Sequence, residues 1–381
     1  MKITKADFGV TIDDSLITDF RDVVNEGEFA YSYFIHRNGK NQFSPICSCM
    51  DCISVSVRYL MNFPELSENI DIKAMQVYSL ISSIDIAVEA LQQLHRIIES
   101  DHKLERWPFK KSANVFKNKT PYLSHEDDDA YFKSIRAIFG AHPTNLQNSE
   151  GERLFASWPH FHAFNGNDFT ISLYNNTPGT DDVIFGIKFD ELITYIEDRY
   201  KYLTSLKDSV ISIRIKHYGI LAKQIIPSTD NIHAELRLLL SEIEARGNND
   251  YYRMEVEELI NLFEGNVKEA HLKGEVDVFL SKLHPIAGEI RDNLQEMNIE
   301  DLATTHGVMI STLPENALPY VLQKMFTWLH SGRYDPMGDY YLDTLNEYSG
   351  GRYNFCSEDD GSTTLLKLRM MLYRYHQQKE A

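Results

Sequence analysis

Apolar positions in residues 72–99 recur every three or four: Val77, Leu80, Ile81, Ile84, Val88, Leu91, Leu94 and Ile98. At 3.6 residues per turn they share one stripe, the mark of a helix that buries one face against partner helices. The same period returns over residues 189–213, where Phe189, Leu192, Ile193, Ile196, Tyr200, Leu203, Leu206, Val210 and Ile213 predict one long helix with Asp190 placed to cap it. Helical patterns also cover residues 50–63, stopped by Pro64, and 128–142, where acids open the segment and Pro143 follows it. A further helix is allowed over 15–34, ahead of a Gly/Asn/Pro loop at 38–45. Beyond residue 231, helices are predicted at 232–245, 250–263, 274–295, 317–330 and 362–378.

Between the two long helices the period changes to two. Phe169, Ile171 and Leu173 alternate with polar residues, a turn-forming run follows at 175–182, and Val183, Phe185 and Ile187 alternate again. This predicts a β-hairpin or small sheet. The expected class is mainly α, with a small β-hairpin insert and a C-terminal helical domain. The break at Pro227 to Asp230 is the candidate boundary between the N-terminal and C-terminal helical regions.

Composition sets the class of partner. With 381 residues, 43% of them hydrophobic and 25% charged, the chain has the make-up of a folded globular protein. Its formal charge of −18 repels a polyanion over most of the surface, so any nucleic-acid site must be local. One local exception exists. Residues 103–120 carry Lys103, Arg106, Lys110, Lys111, Lys117 and Lys119 against Glu105 alone, with Trp107, Phe109 and Phe116 interleaved. Cations for phosphates and rings for bases are what a single-stranded RNA platform uses, with Trp107, Lys110, Lys111, Lys117 and Lys119 as contacts. The alternative is a surface loop whose rings anchor it to the core.

Three of the four cysteines, Cys47, Cys49 and Cys52, crowd into six residues, which suits no disulfide framework and implies a reducing, cytoplasmic setting. With a histidine they could complete a zinc site, but no second paired knuckle is present. His160 and His162 would share one side of a strand, as a metal pair or as packing and RNA contacts. The acids at 126–129 could hold a cation or cap a helix, and capping explains them better. No metal and no cofactor is therefore expected. There is no phosphate loop, dinucleotide fingerprint, nucleophile elbow or His-Glu-x-x-His helix. No uninterrupted apolar run or leader-like start predicts a membrane partner.

The remaining constellation is Arg136 and His142, in Ile-Arg-Ala-Ile-Phe-Gly-Ala-His-Pro. On a regular helix they stand about 120° apart around the axis, close enough for long side chains to converge on one groove. A histidine can move the 2′-hydroxyl proton of RNA, and an arginine can stabilise the pentavalent phosphorane without a metal. The other reading is a helix-end histidine capping carbonyls, with the arginine in a salt bridge. Four Arg–His pairs with this range of spacing occur, Arg96/His102, Arg136/His142, Arg153/His160 and Arg369/His376, against about two by chance. Context singles out the second, because its arginine has apolar neighbours and its histidine lies between a small residue and a proline.

That context resembles the HEPN superfamily of helical bundles, whose nuclease members carry an Arg-x4-6-His motif often running into Ala-His-Pro. The resemblance rests on residues 135–143 and the helices at about 50–100. It implies a bundle over 1–150, a hairpin insert over 151–190 and a further helical domain over 191–381. It also implies a metal-independent endoribonuclease with Arg136 and His142 as the catalytic pair, a homodimer, RNA as substrate, and a toxin or anti-phage role with an antitoxin or other protein partner. The family often places a polar residue after the arginine, where this chain has Ala137. A non-catalytic module that binds a protein or nucleotide is the alternative.

Overall fold

The computed structural model describes residues 12–117, 119–120, 127–141, 144, 146–147, 153–157, 166–247, 249–332 and 335–380. The chain is mainly helical and divides into two compact units, Met1–Ile215 and Lys216–Ala381. The boundary drawn at 191 from the sequence falls inside the first unit, because the helix that follows the sheet packs on the long central helix of that unit.

The first unit opens with α1 (Ser15–Asn25) and α2 (Phe29–Phe34), so the segment read as one helix breaks at Gly27, where φ is +63°. A hairpin of α3 (Phe43–Met61) and α4 (Ile70–Ile98) forms its centre. Asn69 caps α4 by accepting from the amides of Asp71 and Ile72. All eight stripe residues of α4 are buried. Each is worth about 1.5–3 kcal/mol in burial, against helix-propensity differences of about 0.7 kcal/mol at most. Packing therefore sets the position of this helix. It is long and apolar enough to cross a membrane, yet half of its apolar window is buried within the protein.

Next comes α5 (Asp128–Arg136), capped by Asp127, whose carboxylate accepts from the Ala130 amide at 2.7 Å. It runs into a wider π turn over Ala137–Ala141. Four antiparallel strands follow in chain order, β1 (Leu146–Gln147), β2 (Arg153–Ala156), β3 (Phe169–Asn175) and β4 (Val183–Ile187). The predicted hairpin is β3 and β4, with Ile171 opposite Phe185 and Leu173 opposite Val183. Phe169, Ile171, Leu173, Phe185 and Ile187 are all buried, and the Phe139 ring of the π turn lies 5.8 Å from both Phe169 and Phe185.

The long helix expected after the sheet is two helices, α6 (Phe189–Lys201) and α7 (Leu203–Leu221), parted at Tyr202. The Tyr202 amide donates to the Arg199 carbonyl, tightening the turn, and its hydroxyl meets His95 Nδ1 at 2.8 Å. The N-cap position of α6 is Lys188, which makes no side-chain capping bond; Asp168 accepts from the Phe189 amide instead, whereas Asp190 sits in the first turn and accepts from the Glu191 amide.

The second unit contains α8 (Ile232–Ala245), α9 (Asp250–Glu264), α10 (Lys273–Glu296), α11 (Pro319–Ser331), α12 (Gly338–Tyr348) and α13 (Gly361–Glu380). Asn231 and Asn249 cap α8 and α9. The centre is α13, which packs on α9, α10 and α11 and is buried all round from Thr363 to Leu372. Its two buried cations are neutralised: Lys367 lies 2.6 Å from Glu269 and 2.7 Å from Asp359, and Arg369 lies 2.5 Å from Glu258. Unpaired, either would cost several kcal/mol. Only α12 was not expected, its apolar positions Tyr341, Leu342 and Leu345 being too few to show a period.

Candidate functional site

Arg136 ends α5. Tyr131, Phe132 and Ile135 bury the inner face of that helix, which leaves the arginine on its outer flank, 46% exposed. Its Nε lies 2.7 Å from Asp85 Oδ2 on α4. Burial lifts the Asp85 carboxyl above the usual carboxylate range, and Arg136 pulls it back in part; Glu89 raises it further and Lys133 lowers it. The pair is thus one acid half-drawn into the protein and one cation half in water. Among the described residues the guanidinium has no second partner, so its Nη groups remain to be engaged.

After Arg136 the chain enters the π turn, with Ile138 buried beneath it. A π turn holds more residues than an α turn, so the regular-helix spacing does not hold across Ala137–Ala141. His142 and Pro143 lie outside the described residues.

The basic segment folds back on α5 and α6 through two acids. Asp128, fully buried, accepts from the amides of Asn114, Val115 and Phe116. Asp129 accepts from the Trp107 indole at 2.8 Å, the Tyr195 hydroxyl at 2.9 Å and both Nε and Nη2 of Arg199, at 2.8 and 2.6 Å. Arg199 is wholly buried, its guanidinium 3.6 Å from the Tyr195 ring centroid and 4.6 Å from that of Phe109. Beside it, Asp101 accepts from His95 and from the amides of Glu105 and Arg106. Burial pushes the Asp101 carboxyl up, but the Arg106 amide, His95 and the Glu105 amide outweigh it and hold the group at about 2.

The expected RNA contacts separate accordingly. Trp107 and Phe116 are buried, so they anchor the segment, and the Trp107 face is withdrawn from any base. Lys110, Lys111 and Lys117 are exposed, Lys110 in an ion pair with Glu105 at 2.8 Å. Lys117 donates its amide to Glu191, and Lys119 Nζ sits 5.7 Å from the Tyr131 ring centroid. Seven residues of helix, about 10 Å, separate Asp129 from Arg136. The anchor of the basic segment and the arginine therefore stand at opposite ends of a short helix.

The alternative chemistries find little. Cys47, Cys49 and Cys52 all lie on α3, where spacings of two and three residues turn them about 200° and 300° around the axis. They point apart. Burial pushes the Cys49 thiol up to about 12, far from the thiolate a zinc ion needs. No group of three or more His, Cys, Asp or Glu side chains that could hold a metal occurs among the described residues. His160, His162 and Glu126 lie outside them. Asp127, Asp128 and Asp129 are each consumed by the capping and anchoring contacts above.

Sequence reasoning missed Asp85. Its signal was an acid inside the most apolar helix of the chain, which calls for a cation from a neighbouring element. No family model, no curated protein and no solved structure matches this chain.

Proposed function

We propose that the first unit is a HEPN-like, metal-independent endoribonuclease module in which Arg136 and His142 are the catalytic pair. The observation that carries the reading is the anchoring of Arg136: Asp85 holds the guanidinium by its Nε edge at 2.7 Å while the side chain stays 46% exposed. A guanidinium held this way presents its remaining N–H groups as a fixed fork, the geometry that suits a phosphate or a phosphorane. His142 takes the 2′-hydroxyl proton, the 2′-oxygen attacks phosphorus, and the P–O5′ bond breaks as the 5′-oxygen takes a proton from water. The products are a 2′,3′-cyclic phosphate and a 5′-hydroxyl. Lys110, Lys111, Lys117 and Lys119 attract the strand, and Trp107 acts behind them by fixing their segment to Asp129. A homodimer, an antitoxin or other protein partner and a defence role follow from the same resemblance, and a cytoplasmic setting from the sparse, crowded cysteines.

A second reading shares the anion site without the chemistry. Ala137 stands directly after the arginine and offers no proton-handling or orienting group, which favours a non-catalytic module that binds a protein or nucleotide partner.

The test is incubation of the full chain and of the Arg136→Ala/His142→Ala double variant with total RNA and a tRNA pool in EDTA. Cleavage by the wild type alone, with cyclic-phosphate ends, is expected. Cleavage that survives both substitutions, or that needs a divalent ion, would overturn the assignment. Absence of cleavage by a folded wild-type sample selects the binding module, and co-purification then identifies what it holds.

A further inference from the structure

The second unit contains a pocket that the nuclease reading does not use. It lies where the first turns of α10 meet the last turns of α13, and it encloses about 380 Å³. Ligand pockets typically hold roughly 300–1,000 Å³ and are mostly apolar, with a few polar groups that fix orientation. This one has that make-up. Phe279 and Met370, each 2% exposed, form its inner wall, and the Phe279 and Tyr373 rings stand 5.6 Å apart. Val278, 56% exposed, stands at its rim.

Its charged groups are unequal. Glu275 lines the pocket and is shared by two arginines: Arg352 donates to Oε1 in a short contact, and Arg374, which also lines the pocket, donates to the same oxygen at 3.2 Å. The Tyr353 hydroxyl donates to Oε2 at 3.3 Å. One carboxylate thus faces two guanidiniums, leaving a surplus positive charge in a chain whose formal charge is −18. Among the described residues that single 3.2 Å contact is all that engages the Arg374 head. Arg352 Nε is buried without a hydrogen-bond partner. A guanidinium held by one N–H has the rest of its fork to offer a second carboxylate.

We infer that this pocket binds a small monocarboxylate with an apolar body, its tail against Phe279, Met370 and Tyr373 and its carboxylate on Arg374. An ammonium ligand of the same shape would meet the surplus charge head-on. A neutral one would gain the apolar wall and leave the arginine unused. The inference is independent of the nuclease reading, since no residue is shared.

The test is a calorimetric titration of the full chain with octanoate, 1-octanol and octylammonium. Saturable binding of octanoate is expected, at least tenfold tighter than octylammonium. Shortening the acid to hexanoate removes two buried methylenes and should weaken it roughly tenfold. Arg374→Gln should cost octanoate about tenfold and leave octanol unchanged. Val278→Trp, at an exposed rim position that a folded chain tolerates, should block acid and alcohol alike. Absence of saturable octanoate binding, equal binding of the ammonium, or full octanoate binding in Val278→Trp would each overturn the proposal.

Discussion

Asp85 and Arg136 meet at 2.7 Å with unequal exposure, 14% for the acid and 46% for the arginine. The acid's own position is unfavourable, since burial raises its carboxyl pKa despite the cation beside it. A group whose folded pKa is raised stabilises the fold at pH values below its unfolded pKa and loses that contribution as pH rises through the folded value. At neutral pH the ionised Asp85 is therefore no source of stability. It positions the arginine.

Asp85→Asn should accordingly leave thermal stability within about 1 kcal/mol of wild type, while releasing the guanidinium from its anchor. Under the nuclease reading, cleavage in EDTA falls, less steeply than in Arg136→Ala. Arg136→Lys should resemble Arg136→Ala, because an ammonium cannot both pair with Asp85 and present a fork. Melting curves and initial rates on one set of samples check all three. Wild-type rates in Asp85→Asn would remove the positioning role.

Asp129 is the structural counterpart of Asp85. It compensates Arg199, which has no access to water, and it receives Trp107 and Tyr195 as well. Asp129→Ala leaves a buried cation uncompensated, a loss of about 3–5 kcal/mol. Arg199→Met in the same chain should recover much of that loss by removing the charge. Thermal denaturation of the wild type and the two variants tests the account, and an Asp129→Ala protein as stable as wild type would refute it.

How much of this was legible in advance depended on whether a residue's role is set by its own neighbours in sequence. The α4 stripe was legible because eight apolar positions at helical spacing leave one way to bury them. The β3–β4 hairpin was legible for the same reason at period two. Arg136 was legible as a candidate, but its partner Asp85 stands 51 positions earlier in the sequence, and a pairing across helices leaves no local pattern. Trp107 shows the opposite error: a ring among lysines suggests a stacking platform, and only the distant Asp129 and Arg199 reveal that the ring faces inward. The break at Tyr202 was hidden because the apolar stripe continues unbroken across it.

Gly265 closes α9 against α13. A Cβ there would stand 2.9 Å from both the Leu366 Cβ and the Ser362 carbonyl oxygen, and neither is the free end of a flexible side chain. Gly265→Ala must push α9 and α13 apart, at a cost of about 1–3 kcal/mol. Gly274→Ala, with open space around its Cβ, is the control and should be close to neutral. Urea denaturation of the two variants separates crowding from a general intolerance of substitution in this unit.

The pH response of the second unit should run through His330. Its Nε2 lies 3.4 Å from Glu258 Oε2, while Arg369 occupies the other carboxylate oxygen. The hydrogen bond to Glu258 raises the His330 pKa, opposed by burial. A histidine whose folded pKa is raised stabilises the fold fully below its unfolded value, near 6.5, and that contribution is lost as pH climbs through the folded value. Neutral His330 leaves Glu258 still paired with Arg369, so the loss is partial, and the 46% exposure of the imidazole limits it to about 1 kcal/mol or less. The second unit should therefore melt at a higher temperature at pH 6 than at pH 8.5, and His330→Gln should flatten that difference without lowering stability at pH 8.5. A slope unchanged in His330→Gln would place the pH response elsewhere.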